Sequence, residues 1–478
     1  EEIHEMVEAF GKTAKKLRDA GVDGVEIHAV HEGYLLDQFA IEFFNKRTDE
    51  YGGSFENRMR FVTEIVEGIK AIRPENTIIS VRMNAKDGFE GGYTIEDGQA
   101  IAKYFEKIGI DCINVSHGTY TNSFVITEPG LFPEGCRSEQ IKAIKDAVSI
   151  PVIAVNNIKR ASTANNFIES GICDYVALGR GLLCDPNFAA KAMAGEPETI
   201  RSCISCDNCL AFAVTGGHST CSLNPYLGEE TVYNENTLVK SGEGKKAAII
   251  GAGPGGMNAA EVLAAKGYEV ILFDKNDVLG GALTLASKGK GKDKIQWTID
   301  GYAARLAKAG VKVVLNKKIE SADDLKELNP DVVIVAIGGS PVVPPVKGVD
   351  LPNVKLAHDI LADSKGIEGK SIAIVGSGMT GLETAEVLVE QGNTVRLYDM
   401  LDEIAKGAEM TNKIADMIEK INPVYDELFP PKMQDSDKKL TQIGTTNKTG
   451  TTVRFMPDPE IFSTTNFNFS TICERMQE

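Results

Sequence analysis

Apolar residues recur at helical spacing through the first twenty positions: Ile3, Met6, Val7, Phe10, Ala14 and Leu17. The predicted helix stops at Asp19-Ala20-Gly21, and a short apolar run, Val25-Glu26-Ile27-His28, follows. The same grammar recurs four times. Helices over about 55–72, 96–108, 138–147 and 161–170 lead to runs at 78–82, 113–117, 152–156 and 175–180. Five αβ units with buried-type strands predict a parallel sheet. Each run ends in polar residues or glycine: His28, Arg82, His117, Asn156-Asn157 and Gly179-Arg180. In a (β/α)8 barrel the active site is built from such strand ends, and glycine near the last two strands suits a phosphate held by backbone N–H groups. Five units do not close eight strands. The expectation is therefore a partial barrel over 1–200, holding strands 4–8 with the first three missing.

A second pattern occupies 201–228. Cys203, Cys206 and Cys209 are spaced three apart, and Cys221 follows after eleven intervening residues, past a Gly216-Gly217 turn. A zinc ribbon also uses four cysteines, but usually as two distant Cys-x-x-Cys pairs. Three tightly spaced thiols with a separate fourth look more like the ligand set of an iron–sulfur cluster, here [4Fe-4S]. Residues 229–244 are polar and read as a linker. Then a strand, 246–250, runs into Gly251, Gly253 and Gly256 in Gly-x-Gly-x-x-Gly spacing, with Asp274 at the end of the next strand. The glycines let the backbone approach a pyrophosphate at a helix N-terminus, and the acid suits a ribose hydroxyl. A second copy has Gly376, Gly378 and Gly381, with Asp399 after its following strand. The fold class is α/β: a partial barrel, a cluster loop, then Rossmann-like units over 245–345 and 346–421.

Composition narrows the partners. Of 478 residues, 51 are basic and 68 acidic, a net charge of −17. That balance argues against a nucleic-acid surface. No apolar run approaches a membrane span, and no signal peptide is visible. Nine cysteines without a disulfide-like pattern predict a reducing, cytoplasmic setting. The sequence opens with Glu1 rather than Met, so it is expected to begin inside a longer chain. Its composition leaves self-association into a homo-oligomer open.

The stretch Val25–Phe39 and the stretch Asn45-Lys46-Arg47-Thr48-Asp49-Glu50-Tyr51-Gly52-Gly53-Ser54-Phe55-Glu56-Asn57-Arg58 resemble the signature of the old yellow enzyme family. With the thiols and the Gly turns, about 1–420 resembles its long, multi-cofactor branch. That branch holds 2,4-dienoyl-CoA reductases, clostridial 2-enoate reductases and bile-acid-inducible NADH:flavin oxidoreductases. The resemblance implies that His28 and His31 hydrogen-bond a substrate carbonyl, that Tyr34 donates a proton, and that His117 assists. Here Glu32 stands between His31 and Gly33, so either His31 or Glu32 points inward. Arg82 would contact the flavin ring of FMN; Asn156, Gly179 and Arg180 would form its phosphate loops. Gly280-Gly281 resembles the further glycine pair of FAD-binding domains, and the usual order is FAD first and NAD(P) second. Asp399 favours NADH, while the nearby Arg396 leaves NADPH open.

The implied activity is reduction of a carbonyl-conjugated C=C bond in a small-molecule enoate or enoyl-CoA, with electrons passing from NAD(P)H through FAD and the cluster to FMN. Two rival readings are an oxidative amine dehydrogenase of the same family and an inactive truncated fragment. Residues 422–478 break the pattern, and about 440–478 resembles the B subunit of type II topoisomerases (gyrase or topoisomerase IV). No activity is carried over from that tail, which reads as a chimeric junction.

Overall fold

The computed structural model describes residues 1–31, 34–72, 77–119, 127–155, 157–210, 217–234, 237–345, 347–399, 401 and 404. Asn156, Glu32, most of 400–421 and the topoisomerase-like tail lie outside the described residues. The chain divides into two units, Glu1–Asn234 and Glu235–Glu478.

The first unit is built on five parallel strands in sequential order: β1 (Gly24–His28), β2 (Ile78–Asn84), β3 (Cys112–Ser116), β4 (Val152–Ala154) and β5 (Tyr175–Val176). Helices Glu2–Asp19, Arg60–Ile72, Ile95–Ile108, Ser138–Lys145 and Ala161–Glu169 precede them in turn. Helix Arg60–Ile72 shows why. It buries Phe61, Val62, Ile65, Val66 and Ile69, one stripe at spacings of three and four. Each such side chain contributes about 1.5–3 kcal/mol by leaving water. Helix Ile95–Ile108 opens on a reciprocal Thr94–Asp97 capping box and ends at Gly109, whose φ of 85° only glycine adopts cheaply.

The strands are more amphipathic than their apolar content suggests. Ile27, Ile79, Val81, Met83, Ile113, Val115, Val152 and Ala154 join the helices in one core. The alternate positions Glu26, His28, Ser80, Arg82, Asn114 and Ser116 fall on the opposite face. The register sets Glu26 beside Ser80, His28 beside Arg82, and Arg82 beside Asn114. A slip of one residue would exchange the two faces, so burial of the apolar row locks the polar row in place.

In the second unit, β6 (Lys246–Ile250), β7 (Glu269–Phe273), β8 (Lys312–Val314) and β9 (Val332–Val335) form a parallel sheet in the order β8-β7-β6-β9. β10 (Ser371–Val375) and β11 (Thr394–Tyr398) pair separately. Helices Pro254–Ala265 and Met379–Glu390 follow β6 and β10, each with a glycine at its N-cap. A Cβ on Gly256 would lie 1.8 Å from the Gly251 carbonyl oxygen, and one on Gly381 1.9 Å from that of Gly376. Around Gly255 the space is open. Gly256→Ala and Gly381→Ala are therefore expected each to cost about 1–3 kcal/mol. Gly255→Ala is expected to be neutral or to stabilise by about 0.4–1 kcal/mol. Chemical denaturation of the three variants checks this, and equal effects would refute the steric argument. No helix among the described residues is long and apolar enough to cross a membrane.

Candidate functional site

The ends of β1–β3 gather the expected catalytic side chains. The rings of His28 and His31 stand 4.8 Å apart, those of His28 and Tyr34 4.4 Å, and those of His31 and Tyr34 5.8 Å. His28 ends β1, and Tyr34 caps the helix Leu35–Ala40. Arg82 donates from Nη2 to Ser116 Oγ at 3.0 Å, and the same hydroxyl lies 3.3 Å from His31 Nε2. Glu26 accepts from Ser80 Oγ at 3.0 Å and from Asn114 Nδ2 at 3.1 Å. Buried His31 is thus drawn inward. Glu26, Asn114 and Ser116 went unnoticed in the sequence, although strict alternation from His28 and Arg82 points to them.

The imidazoles are held neutral. Burial pushes His31 down to about 3, and the neighbouring His28 and Arg82 push the same way. Burial also takes His117 to about 3, with Arg137, Lys86 and His31 adding to it. His28 is lowered by burial and by Arg82, against the pull of Glu26. In the unfolded chain these rings take up protons near 6.5. Between about 3 and 6.5 the unfolded state therefore binds more protons, so stability falls as the pH drops through that window. A His31→Gln/His117→Gln double variant is expected to lose less Tm than the parent between about pH 7 and about pH 4.5. Equal acid sensitivity would refute the assignment.

Cys203, Cys206, Cys209 and Cys221 line one pocket together with Arg180, Cys184 and Asp207. Ser205 and Asp207 turn the loop through left-handed φ values of 54° and 59°, a region that short polar side chains tolerate. The backbone N–H of Ser205 donates to Cys203 Sγ at 3.4 Å, and that of Leu223 donates to Cys221 Sγ at 3.4 Å. Such donors suit thiolates. Among the described residues, no three His, Cys, Asp or Glu side chains converge on a point that would hold a single ion. Four cysteine sulfurs on one pocket are a donor set suited to a metal–sulfur group.

Arg180, which the resemblance places on a phosphate loop, pairs with Asp207 and donates to the Glu128 carbonyl at 3.0 Å. The Glu128 and Asp207 side chains are 0% and 6% exposed, and buried carboxylates demand a counter-charge. Lys159 is buried too, and its interaction with Cys203 opposes the lowering by burial. Gly179 precedes the short helix Arg180–Cys184 with open space at its α-carbon.

Both glycine turns are cradles a side chain would fill. A Cβ on Gly281 would lie 2.9 Å from Gly253 Cα. Asp274 accepts from the Ala252 N–H at 2.6 Å and the Asn276 N–H at 2.8 Å. Asp399 repeats this with Ser377 N–H at 2.5 Å and Leu401 N–H at 2.9 Å. The acids brace the turns. Ser377 Oγ also donates to Asp399, at 2.8 Å. A carboxylate has about four acceptor sites, so Asp274, with two of them used, retains capacity for a hydroxyl.

Residues 1–199 match the NADH:flavin oxidoreductase / NADH oxidase family, and residues 245–422 match pyridine nucleotide-disulphide oxidoreductases. The chain is similar to an NADH oxidase of Thermoanaerobacter brockii, at 39% identity over 88% of this chain and 64% of the relative. It is also similar to a cinnamate reductase of Clostridium sporogenes, at 36% identity over 87% of this chain and 64% of the relative. The solved structure of a 2-naphthoyl-CoA reductase complex superposes with a TM-score of 0.82 at 29% identity, covering 89% of this chain and 64% of that one. The chain therefore spans about 64% of the length of the curated relatives it matches. With strand-end site, glycine turns and both matched segments in hand, residues 1–199 belong to the old yellow enzyme-like NADH:flavin oxidoreductase / NADH oxidase family and residues 245–422 to the pyridine nucleotide-disulphide oxidoreductases.

Proposed function

We propose that this chain serves the reduction of a carbonyl-conjugated C=C bond in a small enoate or enoyl-CoA. The observation that carries the reading is the His28–His31–Tyr34 group beside Arg82 at the ends of β1 and β2. FMN, when bound, supplies hydride; Arg82 is the residue here to hold its ring, with the backbone at Gly179 for its phosphate. His28 and His31 hold the carbonyl oxygen and stabilise the negative charge it gains. Arg82 fills one lone pair of Ser116 Oγ, so the serine proton is free to point at His31 Nε2. The neutral ring then carries its own proton on Nδ1, an atom with no partner among the described residues. Tyr34 delivers the proton to the α-carbon.

Cys203, Cys206, Cys209 and Cys221 hold a [4Fe-4S] cluster in this reading. The turn at Gly251, Gly253 and Gly256 with Gly281 and Asp274 takes FAD, and the turn at Gly376, Gly378 and Gly381 with Asp399 takes NADH in preference to NADPH. The test is iron, sulfide, FMN and FAD content after oxygen-free purification, followed by NADH-dependent reduction of cinnamate. About four irons per chain, both flavins and consumption of cinnamate support the reading. Zinc in place of iron, or oxidation of a dimethylamine substrate with no cinnamate turnover, would sink it.

A further inference from the structure

Two residues of the thiol loop take left-handed backbone, Ser205 at φ 54° and Asp207 at φ 59°. Each also reaches back to a strand end of its own unit. Asp207 pairs with Arg180, which follows β5 at the start of the helix Arg180–Cys184. Ser205 Oγ donates to Asn157 Oδ1 at 3.5 Å, three residues past β4. Asn157 is 2% exposed, and its Nδ2 donates to the Pro133 carbonyl at 2.6 Å. Arg180 is fixed in turn from the segment after β3. It donates to the Glu128 carbonyl at 3.0 Å and lies 3.8 Å from the Glu128 carboxylate. Arg137 Nε donates to that carboxylate at 3.0 Å. The Glu128 and Asp207 side chains are buried, and those of Arg137 and Arg180 nearly so. A chain of alternating charge thus runs Arg137–Glu128–Arg180–Asp207, from the strand ends into the thiol loop between Cys206 and Cys209.

Left-handed residues other than glycine persist only where their surroundings hold them. Here the holding groups all come from the strand ends that carry the flavin-side residues. Electron tunnelling falls off steeply with distance, so a relay centre needs a fixed seat. We propose that Glu128 and Asp207 are positioning residues which, through Arg180, clamp the thiol loop to the ends of β4 and β5 and so fix the distance between the cluster and FMN. The step they serve moves one electron from the reduced cluster to FMN and reoxidises the cluster. Two such steps carry the pair that NADH gives up, and the flavin takes up one proton from solvent for the one released with NAD. The inference rests on reading the four thiols as cluster ligands and the strand ends as the FMN site.

The test compares the parent with Glu128→Gln and Asp207→Asn, purified without oxygen. Iron and FMN are counted, and deuterium uptake of the 201–210 amides is followed by mass spectrometry. Cinnamate reduction is driven either by NADH or by dithionite, which reduces the flavin directly. Both variants are expected to keep about four irons and their FMN. Their loop amides are expected to exchange about tenfold faster or more. NADH-driven turnover is expected to fall by about tenfold or more while dithionite-driven turnover stays within about twofold. Unchanged exchange, or an equal loss with both donors, overturns the proposal. If Asp207→Asn sheds its iron, Glu128→Gln, which lies outside the thiol loop, decides alone. A parent without iron removes the cluster reading itself. A parent with iron but no cinnamate turnover removes the substrate reading, and the exchange comparison then decides the clamp.

Discussion

Cys209→Ala protein, purified without oxygen, is expected to lose nearly all of its iron, from about four per chain to below one. The reason is geometric. Cys209 is 8% exposed and lies in a short 3-10 turn, Asn208–Leu210, at the close of a loop whose bends fall at Ser205 and Asp207. It also responds electrostatically to its neighbours. Burial pushes the Cys209 thiol up to about 11, and Cys203 and Cys221 push it further in that direction. Thiols crowded in this way ionise together only when a bound cation compensates them. Cys173, buried in the barrel core away from the loop, is the control. Cys173→Ala is expected to keep full iron and sulfide. Retention of full iron by Cys209→Ala would remove it from the ligand set.

Tyr34→Phe is expected to lower the rate of cinnamate reduction by about 10²–10⁴ while leaving substrate binding within a few-fold. Four groups at the site carry a transferable proton: Tyr34, His28, His31 and His117. His31 and His117 stay neutral down to about pH 3, His28 is lowered as well, and a neutral imidazole N–H is a far weaker acid than a phenol. Tyr34 is also accessible, at 37% exposed against 5% for His31 and 4% for His117. The Arg82 guanidinium lies within electrostatic reach of it and favours the phenolate left behind. His117→Gln is expected to keep turnover within about tenfold, as befits a residue that supports the site rather than supplying the proton. Steady-state kcat and KM for both variants check this. Unchanged turnover in Tyr34→Phe, or a larger loss in His117→Gln, would reverse the two roles.

The sequence by itself determined the local order of this protein. Helix stripes such as Phe61, Val62, Ile65, Val66 and Ile69 follow from a 3.6-residue period, and the strands at 25–28, 78–82 and 113–117 follow from short apolar runs after each helix. The two glycine turns were legible because only glycine fits where Gly251 and Gly376 take a φ of 105° and where Gly256 and Gly381 meet a carbonyl. That Cys203, Cys206, Cys209 and Cys221 share one pocket was legible from their spacing. The tertiary structure decided which side chains meet. Register, set by burial of the opposite face, placed Ser116 between Arg82 and His31. Packing of sequence-distant segments drew Arg180 to Asp207 and Glu128. It also set Cys184 in the same pocket as Cys221, 37 residues away in sequence. Local periodicity is a property of the backbone and can be read along a chain. Lateral neighbours are chosen by buried charge and apolar area, which exist only once the chain has closed on itself.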